Sequence, residues 1–310
     1  LKMVWVIRYG EIGTKSESIR RLFLERLIRN IEDALKKERI PYKSIKNLWS
    51  RIIIESSDER LRGVLPRIFG IKSISPAYEI RASIESMKKA ALKLLQRLSP
   101  ETFKIDARRV TKDFPITSIE INRIVGEHVV KELGVRVDLK RPEAVVGIEV
   151  IRDRAYVYTE KVLGPGGLPL GVEGRVLAIV TEKSDLVAAW LMMKRGCEIL
   201  PVIKGDPSVI SPLRPFMYGN KYDCIVVEAL ESKIISKLIE EFECLGICVG
   251  GYGKNVISLL SSFRDINVPV YIPDAFLPEE MYKKILNMLQ TNAESPCTLE
   301  QGGRQFHTTT

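Results

Sequence analysis

The residues best placed to do chemistry form a short polar run, Thr181–Glu182–Lys183–Ser184–Asp185. Before it stand Val176, Leu177, Ile179 and Val180, the pattern of a strand buried on both faces. After it, Val187, Trp190, Leu191 and Lys194 recur at helical spacing. A loop between a parallel strand and the next helix is where an α/β domain binds phosphate, because the helix N-terminus offers free N–H groups. Yet the run holds no glycine. Glycines let successive backbone N–H groups come close to phosphate oxygens. Glu182 and Lys183 would fill that space instead. A carboxylate about 4 Å from one phosphate charge costs about 4 kcal/mol at an effective dielectric of about 20. Lys183 offsets part of that charge.

A second group is cationic. Phe103, Ile105 and Ala107 alternate as in a strand, and Arg108, Arg109 and Lys112 crowd its end, ahead of a helix capped at Thr117 or Ser118. Guanidinium forks and an ammonium at a helix entrance suit phosphate oxygens. The other reading is a solvated cluster paired with Asp106 and Asp113. Lys15 lies in a glycine-punctuated turn between a strand and a helix, open either to RNA contact or to a purely conformational role for Gly10 and Gly13.

The charge is uneven. Residues 1–170 carry 34 Lys and Arg against 22 Asp and Glu, and residues 171–310 carry 14 against 17. A basic front part points to an anionic partner. Nucleic acid fits better than a membrane surface, since no strongly apolar amphipathic face accompanies the charge. No apolar run reaches the roughly 18 residues of a membrane span. Five cysteines and no leader-like start imply reduced thiols in the cytoplasm. Cys244 and Cys248 form the one close pair, and their apolar neighbours favour buried thiols over ligands. With two histidines in the chain, no metal site is expected.

The elements that must position these residues follow from pattern. Met3–Tyr9 reads as a strand. Ser16 caps a helix to about Lys37, with Ile19, Leu22, Phe23, Leu27, Ile31, Ala34 and Leu35 as its apolar stripe. Strands at Lys43–Trp49 and Arg51–Glu55, a helix over 58–69 and a strand over 71–80 complete a βαββαβ ferredoxin-like module. Ser83 caps the next helix. A hairpin turns at Arg152–Asp153–Arg154. Leu163–Gly171 is a linker or ordered turn. After Cys197, strand and helix signals alternate, as in a parallel sheet covered by helices.

Several segments resemble the tRNA 4-thiouridine synthetases, or tRNA sulfurtransferases. They are Arg8–Ser16, Phe103–Pro115, Val137–Glu143, Gly166–Pro169, Gly174–Leu177 and Val187–Cys197. The resemblance implies a ferredoxin-like domain over 1–77, a THUMP domain over 78–165 and a Rossmann-like PP-loop pyrophosphatase domain over 170–290, with residues 291–310 as a disordered tail. It also implies tRNA as partner, held at its acceptor region and 3′ end by Lys15, Arg108, Arg109, Lys112, Lys140 and Arg141. The family's loop reads Ser-Gly-Gly-x-Asp-Ser. Here that slot holds TEKSDL, with Ser184 or Asp185 at the acidic position. Ile179–Asp185 and Gly250 therefore form a degenerate nucleotide loop.

The expectation is a tRNA-binding protein without ATP-pyrophosphatase activity, needing no cofactor and acting alone or with a separate modification enzyme. The alternative is an active sulfurtransferase that uses ATP and Mg2+ to make 4-thiouridine in tRNA.

Overall fold

The computed structural model describes residues 2–293 and 304–305. In chain order the first elements are β1 (Lys2–Tyr9), α1 (Glu17–Lys37), β2 (Ser44–Leu48), β3 (Arg51–Glu55), α2 (Leu61–Val64) and β4 (Ile71–Arg81). Then come α3 (Ile84–Leu98), β5 (Thr102–Arg109), α4 (Ser118–Leu133), β6 (Arg136–Val137), β7 (Ala144–Ile151), β8 (Arg154–Tyr158) and β9 (Val162–Leu163). The rest are β10 (Arg175–Val180), α5 (Asp185–Lys194), β11 (Glu198–Lys204), β12 (Ile225–Val227), α6 (Ser232–Glu241), β13 (Ile247–Cys248), α7 (Val256–Ser261), β14 (Val270–Tyr271), α8 (Glu279–Ala293) and β15 (Arg304–Gln305). The expected tail over 291–310 falls mostly outside the described residues, although α8 runs on to Ala293.

The chain forms two compact units, and neither is one continuous stretch. The first comprises Leu1–Tyr9, Ile40–Pro66 and Ile71–Gly164. The second comprises Gly10–Arg39, Arg67–Gly70 and the chain from Pro165 onward.

The first unit is one nine-stranded sheet in the order β2-β3-β1-β4-β8-β7-β5-β6, with β9 also on β4. It joins the ferredoxin-like strands to the THUMP strands without a break. The join is β4, which pairs with β1 over residues 71–79 and with β8 over 78–81. The sequence boundary at 77/78 thus lies inside a strand. On one face, α3 and α4 bury Met87, Leu95, Ile121 and Val125 against Phe103, Ile105, Val146 and Ile148. Both helices start as their capping residues dictate. Ser83 Oγ accepts from the Ser86 N–H at 3.2 Å. Thr117 and Glu120 form a reciprocal capping box. The sheet curls on itself, so that Val4, Val6 and Ile53 pack with Ile151 and Tyr156. The helix expected over 58–69 is shorter, because Pro66 lacks the N–H an α-helix needs and the chain tightens into a 3-10 turn at Leu65–Arg67.

The second unit holds a parallel sheet in the order β14-β13-β10-β11-β12-β15. β10 is central, as its apolar run requires, pairing with β11 and β13. Phe69, Trp190 and Phe216 meet with ring centroids 5.5–6.4 Å apart on one face. Ile235, Leu238 and Ile239 of α6 pack on the other.

Helix α1 belongs to this second unit, and polar anchors hold it there. Arg26 donates to Leu170 O at 2.7 Å and pairs with Glu198 at 2.6 Å. Asn30, 1% exposed, donates to Leu170 O, and Asp33 accepts from the Gly219 N–H at 2.7 Å. Two expectations about α1 are corrected. Ser16 makes no side-chain cap. Ile19 and Leu22 lie exposed, because the buried stripe is Leu24, Leu27, Asn30, Ile31, Ala34 and Leu35.

Candidate nucleotide loop and RNA interface

The loop after β10 closes on its own carboxylate. Asp185, 4% exposed, opens α5 and reaches back into the loop. Its Oδ2 accepts from the Thr181 N–H at 2.9 Å, the Thr181 hydroxyl at 2.7 Å and the Glu182 N–H at 3.2 Å. Its Oδ1 accepts from the Lys254 ammonium at 3.0 Å. Of the two residues open to the acidic position, Asp185 is therefore the one that faces the loop. Ser184 keeps a buried hydroxyl with no protein partner.

The Glu182 carboxylate expected in or beside the phosphate cradle turns to solvent. The Glu182 side chain is 58% exposed and meets Lys254 at 3.4 Å, so solvent screens most of its charge. The carboxylate in the cradle is that of Asp185, because a buried acid must find N–H donors and the loop's are the nearest. Ile179 and Val180 are buried strand residues, and Lys183 is exposed. Gly250 lies against the site. A Cβ there would overlap Asp185 Oδ1 and stand 2.8 Å from the Asp185 Cα.

Sequence reading gave no individual role to Lys254, Asp274 or the tyrosine pair beside this loop, although residues 249–258 and 273–275 resemble or replace pocket segments of the family. Asp274, 1% exposed, accepts from the Gly251 N–H at 2.8 Å, and its other oxygen has no protein partner. Burial raises its carboxyl above the ordinary range, against the pull of backbone N–H groups. Burial works against charge on Lys254 too, but the hydrogen bond and charge of Asp185 outweigh it and raise its ammonium. Tyr252 and Tyr282 stack at 3.7 Å, and the Tyr282 hydroxyl donates to Ser184 O at 3.4 Å. As arranged, the N–H groups of Thr181 and Glu182 are bonded to Asp185.

Cys244 and Cys248 point to opposite faces of the sheet, into separate cores. Among the described residues no cluster of three or more His, Cys, Asp and Glu could hold a metal. Burial pushes the thiols of Cys197 and Cys244 up to about 11 and that of Cys248 well above its ordinary value. At pH 7 that leaves roughly one thiolate in ten thousand at Cys197 and Cys244. Maleimide treatment of native protein at pH 7 should leave Cys197, Cys244 and Cys248 unmodified by peptide mass spectrometry. Rapid labelling of Cys248 would show that the sheet opens or that the thiol is activated.

The cations do not form one patch. Arg108 and Lys112 are exposed beyond the C-terminal end of β5. Arg109 is engaged: its guanidinium donates to Phe114 O at 2.8 Å and its N–H to the Ser118 hydroxyl, so it shapes the loop before α4. Lys140 and Arg141 are exposed at the other end of β5, where Asp138 N–H bonds Phe103 O and Asp138 holds both of their N–H groups. The strand between spans roughly 20 Å at about 3.3 Å per residue. Lys15 belongs to the second unit, with its ammonium 5.8 Å from the Phe23 ring centroid.

Behind the cations is a buried ion network. Glu149, 3% exposed, accepts from Arg8 and Arg51, each at 2.6 Å, and from the Tyr158 hydroxyl at 3.1 Å. It ties β7 of the THUMP part to β1 and β3 of the ferredoxin-like part.

Comparison with known proteins places this geometry. The ThiI ferredoxin-like domain family matches residues 4–75, and the THUMP domain family matches residues 81–160. A probable tRNA sulfurtransferase of Thermococcus kodakarensis is 37% identical over 254 residues, covering 77% of this chain and 67% of the relative. The crystal structure of PH1313 from Pyrococcus horikoshii superposes with a TM-score of 0.84 at 38% identity, covering 93% of this chain and 99% of that one. A crystal structure of a 4-thiouridine synthetase–RNA complex with bound ATP shares the fold, with a TM-score of 0.76 at 24% identity over 96% of this chain and 87% of that one. The chain belongs to the tRNA sulfurtransferase family.

Proposed function

We propose that this protein binds tRNA through its first unit and that its second unit does not split ATP into AMP and pyrophosphate. The distribution of charge carries the first half of the reading. The first unit holds 25 Lys and Arg against 16 Asp and Glu, while the second holds 23 against 23, so the whole excess of +9 sits with the THUMP and ferredoxin-like strands. A related fold crystallised with RNA supports the same assignment. Arg108 and Lys112 at one end of β5, and Lys140 and Arg141 at the other, serve as phosphate contacts spaced along a structured acceptor region. Such contacts position the RNA and do not read bases. Arg109 supports the loop that carries Lys112. Since tRNA is the partner, the cytoplasm is the place of action.

The relatives' names favour a second reading, an active ATP-dependent sulfurtransferase that makes 4-thiouridine. For that reading Asp185 must first release the Thr181 and Glu182 N–H groups. In the first reading a separate enzyme supplies the chemistry.

Filter binding to tRNA across a salt series tests the RNA half. With four phosphates neutralised, log K should fall with log salt at a slope of roughly −3 to −4. Arg108→Glu with Lys112→Glu should weaken binding and flatten the slope by about two. Affinity and slope that both stay unchanged would remove these residues from the interface.

A further inference from the structure

Two hairpin turns of the first unit share an unusual feature. Register pairs Leu48 with Arg51 and Ile151 with Arg154, so each turn has two residues, Trp49–Ser50 and Arg152–Asp153. The first position of each has positive φ, 57° at Trp49 and 53° at Arg152. Such positions favour Gly, Asn or Asp, because a Cβ crowds the backbone there. Here they carry a large aromatic and a long cation. Their side chains meet: the Arg152 guanidinium carbon is 5.8 Å from the centroid of the Trp49 ring.

Both turns are held rigidly. The Tyr9 hydroxyl donates to Trp49 O at 2.9 Å, and the Arg152 N–H donates to the buried Thr111 hydroxyl at 2.7 Å. Arg51, next but one to Trp49, is fixed by Glu149. Despite this support the Trp49 ring is 63% exposed, whereas Trp5 is fully buried and Trp190 is 5% exposed. Lys112 follows Thr111 directly, so the pair adjoins the cations at the end of β5. Arg152 also lines a shallow depression with Arg81, Phe114 and Pro115.

We propose that Trp49, braced by Arg152, is a stacking platform for an unpaired base of the bound RNA, a role beyond the phosphate contacts above and resting on the tRNA-binding reading. An exposed indole held on a basic surface offers a π-face to any base. The neighbouring guanidinium draws in the backbone and adds a cation–π contact. Phosphate contacts alone would not distinguish single-stranded RNA from duplex. The platform does, because a paired base has no free face to offer.

Intrinsic fluorescence tests it, since Trp49 is the one exposed tryptophan. Titration with tRNA that retains its single-stranded 3′ end should quench emission, and a blunt RNA duplex of the same charge should quench it far less. Trp49→Ala should weaken tRNA binding roughly ten- to a hundredfold. Trp49→Phe should stay near wild type, with thermal melting of both variants unchanged and the salt slope preserved. Tight tRNA binding by Trp49→Ala, or equal quenching by the duplex, would overturn the platform while leaving the tRNA-binding reading intact. Failure of the wild-type protein to bind any RNA would overturn both.

Discussion

Purified protein incubated with ATP, Mg2+ and tRNA should release no AMP or pyrophosphate above background. A phosphate entering the loop after β10 meets the Asp185 carboxylate already bonded to the N–H groups of Thr181 and Glu182. An acid at the Asp185 position is common to the family's Ser-Gly-Gly-x-Asp-Ser loop, so that carboxylate by itself does not bar a phosphate. What sets this loop apart is that Thr181, Glu182 and Lys183 stand at the Ser-Gly-Gly positions. Glu182 and Lys183 deny the close backbone approach that glycines give. Turnover that is lost in Asp185→Ala would sink this prediction and establish the sulfurtransferase reading.

Replacing Glu149 by alanine should destabilise the first unit by about 3–5 kcal/mol, the usual consequence of stranding a buried charge. Two guanidinium groups, Arg8 at 6% and Arg51 at 5% exposure, would lose their counter-charge together. Part of the Arg8 guanidinium already lacks a protein partner, so the network has no spare acceptor. Removing all three charges with apolar residues of similar volume should restore most of the stability, because the desolvation cost then disappears as well. Denaturant unfolding of Glu149→Ala beside the triple variant Arg8→Met, Arg51→Met, Glu149→Leu measures both effects. Equal loss in the two would show that packing, not charge, sets the cost. The network also gives a pH dependence. Burial alone would raise the Glu149 carboxyl, but the charges of Arg8 and Arg51 outweigh it and hold it below the ordinary carboxylate range. A depressed acid stabilises the fold above its unfolded value of about 4.3, and the contribution is lost as pH falls through the lower folded value. Wild-type stability should therefore drop more steeply below pH 4 than that of the triple variant.

The order of elements was legible in the sequence because it depends on local pattern. The apolar run at Val176–Val180 demanded a strand covered on both faces, and β10 is the centre of its sheet. The Ser83 and Thr117 starts followed from side chains that reach N–H groups three residues on. The missing glycines of TEKSDL were visible as composition. What the sequence could not decide was which distant residues share a charge or a face. Arg8, Arg51 and Glu149 each stood out as a lone charge in an apolar strand, but only the curl of the sheet brings them within 2.6 Å. Helix α1 read as part of the N-terminal module, yet Arg26, Asn30 and Asp33 find their partners at residues 170–219. Lys140 and Arg141 matched a second THUMP segment, apart from the one that holds Arg108, and the length of β5 separates the two groups. The direction of the Asp185 carboxylate, into the loop and not toward solvent, was likewise a tertiary matter. Periodicity reports which side of an element is buried, over a few residues. A buried polar group takes whatever partner the whole fold supplies, and that partner has no fixed distance along the chain.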